Sequence, residues 1–183
     1  MGESQFGMDL EEGLYYQKWV AHLFNTHRFG PHRKAESTVG KEPVDLLLKI
    51  KGSRYTAEVK YQRMGAKTGN IAFEIYDFRK FAGSGLGDSI ADFWIEVIPQ
   101  GDKLHIARMK TKDARELARK VVMDRTGRGK ATVGGDDESV LLVLFPIKDF
   151  FERSDVKVSL FWKHEFETFK AKLIERESCL PPF

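Results

Sequence analysis

Val44-Asp45-Leu46-Leu47-Leu48-Lys49-Ile50 and Arg54-Tyr55-Thr56-Ala57-Glu58-Val59-Lys60 both read as strands, rich in apolar residues at a period of two. Between them, Lys51-Gly52-Ser53-Arg54 offers a two-residue turn with glycine at its first central position, the type II′ pattern. That turn sets an expected register with Ile50 opposite Tyr55, Leu48 opposite Ala57 and Leu46 opposite Val59. All six are apolar and share one side of the ribbon, as a half-buried hairpin requires. The other side then carries Asp45 across from Lys60, with Glu58 diagonal to Asp45. Diagonal neighbours lie roughly 7–8 Å apart, so two carboxylates and one ammonium converge near the end of the hairpin.

This grouping suits phosphodiester hydrolysis. Carboxylate oxygens from Asp45 and Glu58 match the preference of Mg²⁺, or of Mn²⁺ in its place, and the Val59 backbone carbonyl is a further candidate ligand. Such an ion lowers the pKa of a bound water and neutralises charge on a phosphate. Lys60 would then position the attacking water or stabilise the phosphate oxygens. The competing reading is structural, since Glu-x-Lys on the polar face of a strand is also the ordinary pattern of a solvated ion pair.

Composition bounds the remainder. The chain has 183 residues, 42% hydrophobic and 12% aromatic, enough to build a core and too apolar for a disordered chain. Lys+Arg 30 against Asp+Glu 27 leaves +3, so net charge alone does not point to nucleic acid. A single cysteine, Cys179, excludes an intrachain disulfide and a cysteine-based zinc site. The N-terminal residues lack the pattern of a signal peptide, and no apolar run nears the roughly 20 residues of a membrane span. The expectation is an intracellular, cytoplasmic protein without membrane contact.

Outward from the hairpin, residues 9–27 carry a helical stripe of Leu10, Leu14, Gln17, Ala21 and Phe24, with Asp9 read as the cap. Residues 28–34 read as a basic loop. A third strand is expected at 71–76, others at 92–98, 103–109 and 139–145, and a helix from a capping Thr111. Pro146 suits the first turn of a short helix, and a final helix at about 162–177 carries Trp162, Phe166, Phe169 and Leu173. That stripe reads as core; exposed, it would be a homodimer face. Residues 83–87 and 124–138 read as glycine-rich loops. The order predicts one domain over residues 1–183, α/β or α+β, with a mixed central sheet flanked by helices; α/β is the class expected.

Pro43-Val44-Asp45 followed by Glu58-Val59-Lys60 resembles the signature of the PD-(D/E)XK nuclease superfamily. Lys67-Thr68-Gly69-Asn70-Ile71-Ala72-Phe73-Glu74 is similar to the stretch after the active-site lysine in phage and archaeal-virus members. Ser89-Ile90-Ala91-Asp92-Phe93-Trp94, and Gly134-Gly135-Asp136 before a strand ending in Pro146-Ile147, are similar to the same group. The resemblance spans about residues 9–150, leaving 151–183 as a helical extension. It implies a restriction-endonuclease-like αβββαβ core and Mg²⁺-dependent cleavage of DNA, with Asp45 and Glu58 as ligands and Lys60 as catalytic lysine. An endonuclease of viral or mobile-element DNA recombination, repair or degradation is the expected activity. Gly13-Leu14-Tyr15-Tyr16-Gln17 resembles the Gly-x-x-x-Glu of Holliday-junction resolvases, with Gln17 where that motif has Glu. Gln17 is therefore a candidate catalytic residue or a structural amide, and Glu11 or Glu12 are alternatives for the missing acid.

The DNA partner would be held by basic groups. Lys112, Arg115, Arg125, Arg128 and Lys130 lie in the densest basic stretch, and Arg33 and Lys34 form a second patch. Lys67, Thr68 and Asn70 would touch phosphate, or else shape a turn. Two rival expectations are a non-catalytic DNA-binding protein that keeps the nuclease fold, and an exonuclease.

Overall fold

The computed structural model describes residues 5–38, 43–123, 129–134 and 138–178, with side chains from residue 11 onward. Helix α1, Gln5–Asn25, follows from the helical stripe: Tyr16, Trp19, Val20, Leu23 and Phe24 are all buried. It begins before Asp9, which lies within the helix and is not its cap. Arg33 and Lys34, expected in a basic loop, instead begin strand β1, Arg33–Ser37. The Asn25 amide fastens that strand to the end of α1, donating to the Ala35 carbonyl (2.8 Å) and accepting from the Ala35 N–H (3.0 Å).

Strands β2, Leu46–Ile50, and β3, Ser53–Tyr61, make the expected hairpin in a different register. Ile50 pairs with Ser53, Leu48 with Tyr55 and Leu46 with Ala57. The turn centres on Lys51 (φ 51°) and Gly52 (φ 89°), both left-handed, which is type I′ and not II′. The slip is two residues, so every side chain stays on its expected face and the apolar pattern accepts either register.

Next come α2, Gly65–Thr68; β4, Asn70–Asp77; β5, Ala82–Gly83; and a 3₁₀ turn at Gly85–Gly87. Strands β6, Phe93–Gln100, and β7, Lys103–Lys110, lead into helix α3, Thr111–Met123. Thr111 does not cap α3; its buried hydroxyl has no hydrogen-bond partner. The remaining elements are β8, Lys130–Gly134; β9, Val140–Pro146; α4, Ile147–Phe151; β10, Lys157–Trp162; and α5, Lys163–Ser178. Pro146 thus closes a strand before α4, and Trp162 ends β10, half exposed, instead of joining the α5 stripe.

The strands form two sheets. Six run in the order β1-β2-β3-β6-β7-β10, and four in the order β5-β4-β9-β8. The larger sheet is mixed, because β3 and β6 pair in parallel while its other neighbours are antiparallel. The expected third strand, β4, belongs to the smaller sheet instead. Asp92 pins the parallel junction: its carboxylate accepts the Thr56 N–H at 2.8 Å, and its own N–H donates to the Thr56 hydroxyl at 3.0 Å. One face of the large sheet packs Leu46, Ala57, Ile95 and Ile106 against α1 and Phe166 of α5. The opposite face packs Trp94, Ile98 and Met109 with Phe73, Val143 and Leu117 of the small sheet and α3. The glycines at 85 and 87 permit that packing: a Cβ at Gly87 would stand 1.9 Å from the Ile75 carbonyl oxygen.

Candidate functional site

The end of β2 places Asp45. Its N–H donates to the Ala57 carbonyl at 3.1 Å, the carbonyl of the residue that already pairs with Leu46. Two residues of one strand therefore stand against one of the other, the local arrangement of a bulge. The Asp45 carboxylate completes the ladder, accepting the Val59 N–H at 2.8 Å. Asp45 thus stands beside Glu58 and Val59, and not across from Lys60 as the type II′ register requires. Glu58 is near enough to act electrostatically on the Asp45 carboxyl.

Lys60 and Glu58 alternate onto the face of β3 that looks toward the small sheet. The Lys60 ammonium pairs with Glu58 Oε1 at 2.9 Å and lies 5.8 Å from the centre of the Trp94 ring. Burial, then the charge of Glu58, push the Asp45 carboxyl above its ordinary value, against the Val59 N–H bond and Lys60. Burial disfavours the Lys60 ammonium, but Glu58, Asp45 and Glu74 outweigh it and raise its pKa. Lys60 therefore stays charged through neutral pH, held among acids.

Gln17 reaches this cluster from α1. Buried at 5% exposure, it donates its amide hydrogen to the Asp45 backbone carbonyl at 2.5 Å. This is the structural use of the amide, fixing the strand end that carries the carboxylate. Gly13, Leu14, Gln17, Asp45, Val59, Lys60, Tyr61 and Arg63 line an open cleft of about 310 Å³ at this point. Its wall is rigid, since Tyr16 of α1 stacks between Tyr61 (4.2 Å) and Phe166 (4.0 Å).

A residue not foreseen from sequence lies below. Glu96 of β6 pairs with Lys60 in the parallel ladder and is wholly buried. It accepts hydrogen bonds from Trp94 Nε1 at 2.5 Å and Gln62 Nε2 at 2.9 Å. Burial raises its carboxyl from 4.5 to about 7, against those two bonds and the charge of Lys60. Its signal in the sequence is a lone acid within the otherwise apolar run Phe93-Trp94-Ile95-Glu96-Val97-Ile98.

The basic candidates do not gather at the cleft. Arg33 and Lys34 lie on β1, and Lys112 and Lys130 are exposed on α3 and β8. Arg115 donates to the backbone carbonyls of Leu86 (3.0 Å) and Ser89, tethering the turn beside the small sheet. Thr68 and Asn70 bond one another's backbone, shaping the turn, while Lys67 is exposed on α2. Arg125 and Arg128 lie outside the described residues, as does Cys179.

Asp45 and Glu58 offer carboxylate oxygens of the kind a hard divalent cation takes, whereas the Lys60 ammonium has no lone pair to give and could only stand beside such an ion. Mg²⁺ commonly binds through one or two carboxylates, keeping water and substrate phosphate as its other ligands. Among the described residues, no group of three or more His, Cys, Asp or Glu side chains gathers to hold a metal, so any ion here would rely on those outside ligands. No helix among the described residues is long and apolar enough to cross a membrane. No family model matches this chain, and no curated protein or solved structure does.

Proposed function

We propose that the chain is a Mg²⁺-dependent deoxyribonuclease of the PD-(D/E)XK superfamily with a restriction-endonuclease-like fold, cutting DNA internally. The observation that carries this reading is the Asp45, Glu58 and Lys60 cluster, of which Asp45 and Lys60 line an open cleft. Supporting it is the chain path: a helix, an antiparallel meander β1-β2-β3, and a later strand, β6, parallel to β3. One departure is the crossover, which runs through the four-residue α2 and two strands of the small sheet where the αβββαβ pattern has one helix.

Asp45 and Glu58 would hold the ion, with the Val59 carbonyl as a further oxygen. A bound Mg²⁺ supplies an acidified water and neutralises charge on the phosphate. Each protein group then has a separate task. Gln17 and the Val59 N–H fix Asp45, so its carboxylate needs no reorganisation when the ion arrives. Lys60, positioned by Glu58, directs its ammonium toward the phosphate oxygens or orients the attacking water. Trp94 lies beneath its ammonium and limits where the side chain settles, and Glu96 is the neighbour of Lys60 in the parallel ladder.

The test is cleavage of supercoiled plasmid, linear duplex and branched DNA with Mg²⁺ or EDTA. Nicking of the closed circle that needs Mg²⁺ and is abolished by Asp45→Asn and Lys60→Ala supports the reading. Action on linear ends alone makes the protein an exonuclease. The use of Gln17 as a backbone clamp, in place of a helix carboxylate, favours the second reading of a non-catalytic DNA-binding protein. Salt-dependent DNA binding without cleavage of any substrate would establish that alternative.

A further inference from the structure

A second concavity lies under the C-terminal end of α1 and shares no lining residue with the cleft at Asp45. It has a volume of about 740 Å³, within the range of small-molecule sites. Its walls are largely apolar, with Phe24, Leu48, Ile95 and Val158 among them, and two guanidinium groups, Arg33 and Arg108, enter it.

Arg108 is the informative group. It projects from β7 on the same face as Leu104 and Ile106, which are fully buried. Its guanidinium lies 4.0 Å from the Phe29 ring centre, and one terminal nitrogen donates to the Ser159 hydroxyl at 2.9 Å. Its Nε is buried and has no hydrogen-bond partner. No carboxylate among the described residues pairs with it, and Arg33 is close enough to repel it. Burial, then that repulsion, lower its pKa to about 10. Two acids also line the concavity, Asp113 and Asp155, but Asp155 is engaged by Arg153 through bonds of 2.9 and 2.6 Å. Lys110 and Lys157 keep the balance positive.

A partly buried cation without a counter-ion is costly, and the buried, unused Nε–H adds to that cost. Stability alone favours an apolar residue at position 108. An oxyanion in the concavity would supply the missing charge, because a guanidinium matches carboxylate and phosphate geometry. The apolar walls beyond it would exclude water from a hydrocarbon or ring.

We infer that this concavity is a binding site for a small organic anion, whose carboxylate or phosphate sits on Arg108 and Arg33 and whose apolar body lies against Phe24, Leu48 and Ile95. The inference is independent of the nuclease reading.

The test is calorimetric titration of the full chain with decanoate, deoxyadenosine monophosphate, inorganic phosphate and a duplex oligonucleotide. Binding of decanoate or the nucleotide, weakened at least tenfold by Arg108→Gln and by Arg33→Gln, supports the site, and the tighter of the two identifies the apolar body. Inorganic phosphate binding as tightly as both organic anions would overturn the role of the apolar walls. No binding by either organic anion, or binding indifferent to Arg108→Gln, overturns the site, as does a loss confined to the duplex. Unliganded melting temperature is the second readout: Arg108→Met should melt higher than wild type, and a marked fall would show that Arg108 is structurally satisfied.

Discussion

Glu96 makes the stability of this protein depend on pH in a direction opposite to acid denaturation. Its carboxyl moves from 4.5 in the unfolded chain to about 7 in the native state, because burial disfavours the charged form. Between those values the native state holds a proton that the unfolded chain has released. Stability contributed by the neutral carboxyl is therefore fully present below about 4.5 and is lost as pH rises toward and past 7. A shift of that size corresponds to about 3 kcal/mol in total, and to roughly 2 kcal/mol between pH 5.5 and 8.5. His22 and His105, both lowered by burial, contribute the opposite slope below 6.5. The measurement is thus a difference: urea unfolding of wild type and Glu96→Gln at pH 5.5, 7 and 8.5. The substituted amide has one acceptor fewer to offer Trp94 or Gln62, and Gln62 is held by Ala72 through both its amide atoms. The variant therefore starts less stable at pH 5.5, by about 1–2 kcal/mol. As pH rises, wild type should lose roughly 2 kcal/mol relative to the variant. A difference that stays constant from pH 5.5 to 8.5 refutes the buried, proton-holding carboxyl.

Asp45→Asn keeps an acceptor for the Val59 N–H and removes repulsion with Glu58, so its urea midpoint without metal should equal or exceed that of wild type. Its melting temperature should not respond to Mg²⁺, whereas wild type at a hundredfold excess over Kd should gain about 2.7 kcal/mol. Gln17→Ala removes the clamp on the Asp45 carbonyl and should cost about 1–3 kcal/mol in chemical denaturation, with cleavage slowed as well. Gly87→Ala forces a methyl into the Ile75 carbonyl and should cost about 3 kcal/mol, measured by thermal unfolding.

The parts of this fold legible in the sequence are those with a neighbour on both sides. Helix α1, strands β2, β3, β4, β6, β7 and β9, and helix α3 carry an apolar period that matches a buried face, whereas the stripe expected as core on α5 buries only Phe166. The strands that escape a sequence reading, β1, β5, β8 and β10, are the four edges of the two sheets. Edge strands are short and polar, which protects them from pairing with other chains and also makes them read as loops. Arg33-Lys34-Ala35-Glu36-Ser37 illustrates this, with Ala35 its one buried residue. The hairpin register differs from expectation for another reason. A shift of two residues preserves both faces, so only the turn distinguishes the alternatives, and Lys51 accepts a left-handed conformation that its side chain does not advertise. At the candidate site, alternation puts Glu58 and Lys60 on one face of β3, and the hairpin brings Asp45 beside them through an irregular strand end that the sequence does not show. Glu96 is not legible in the sequence, since its partner Gln62 lies just past β3, whose parallel pairing with β6 a local pattern does not reveal.

The central claim is that Asp45 and Glu58 share one divalent ion beside Lys60. Crystals soaked in Mn²⁺ and measured at the manganese absorption edge test it directly. The account predicts one strong anomalous peak in contact with both carboxylates in wild type, and none there in Asp45→Asn. A peak held by other residues, or an equal peak in the variant, would contradict it.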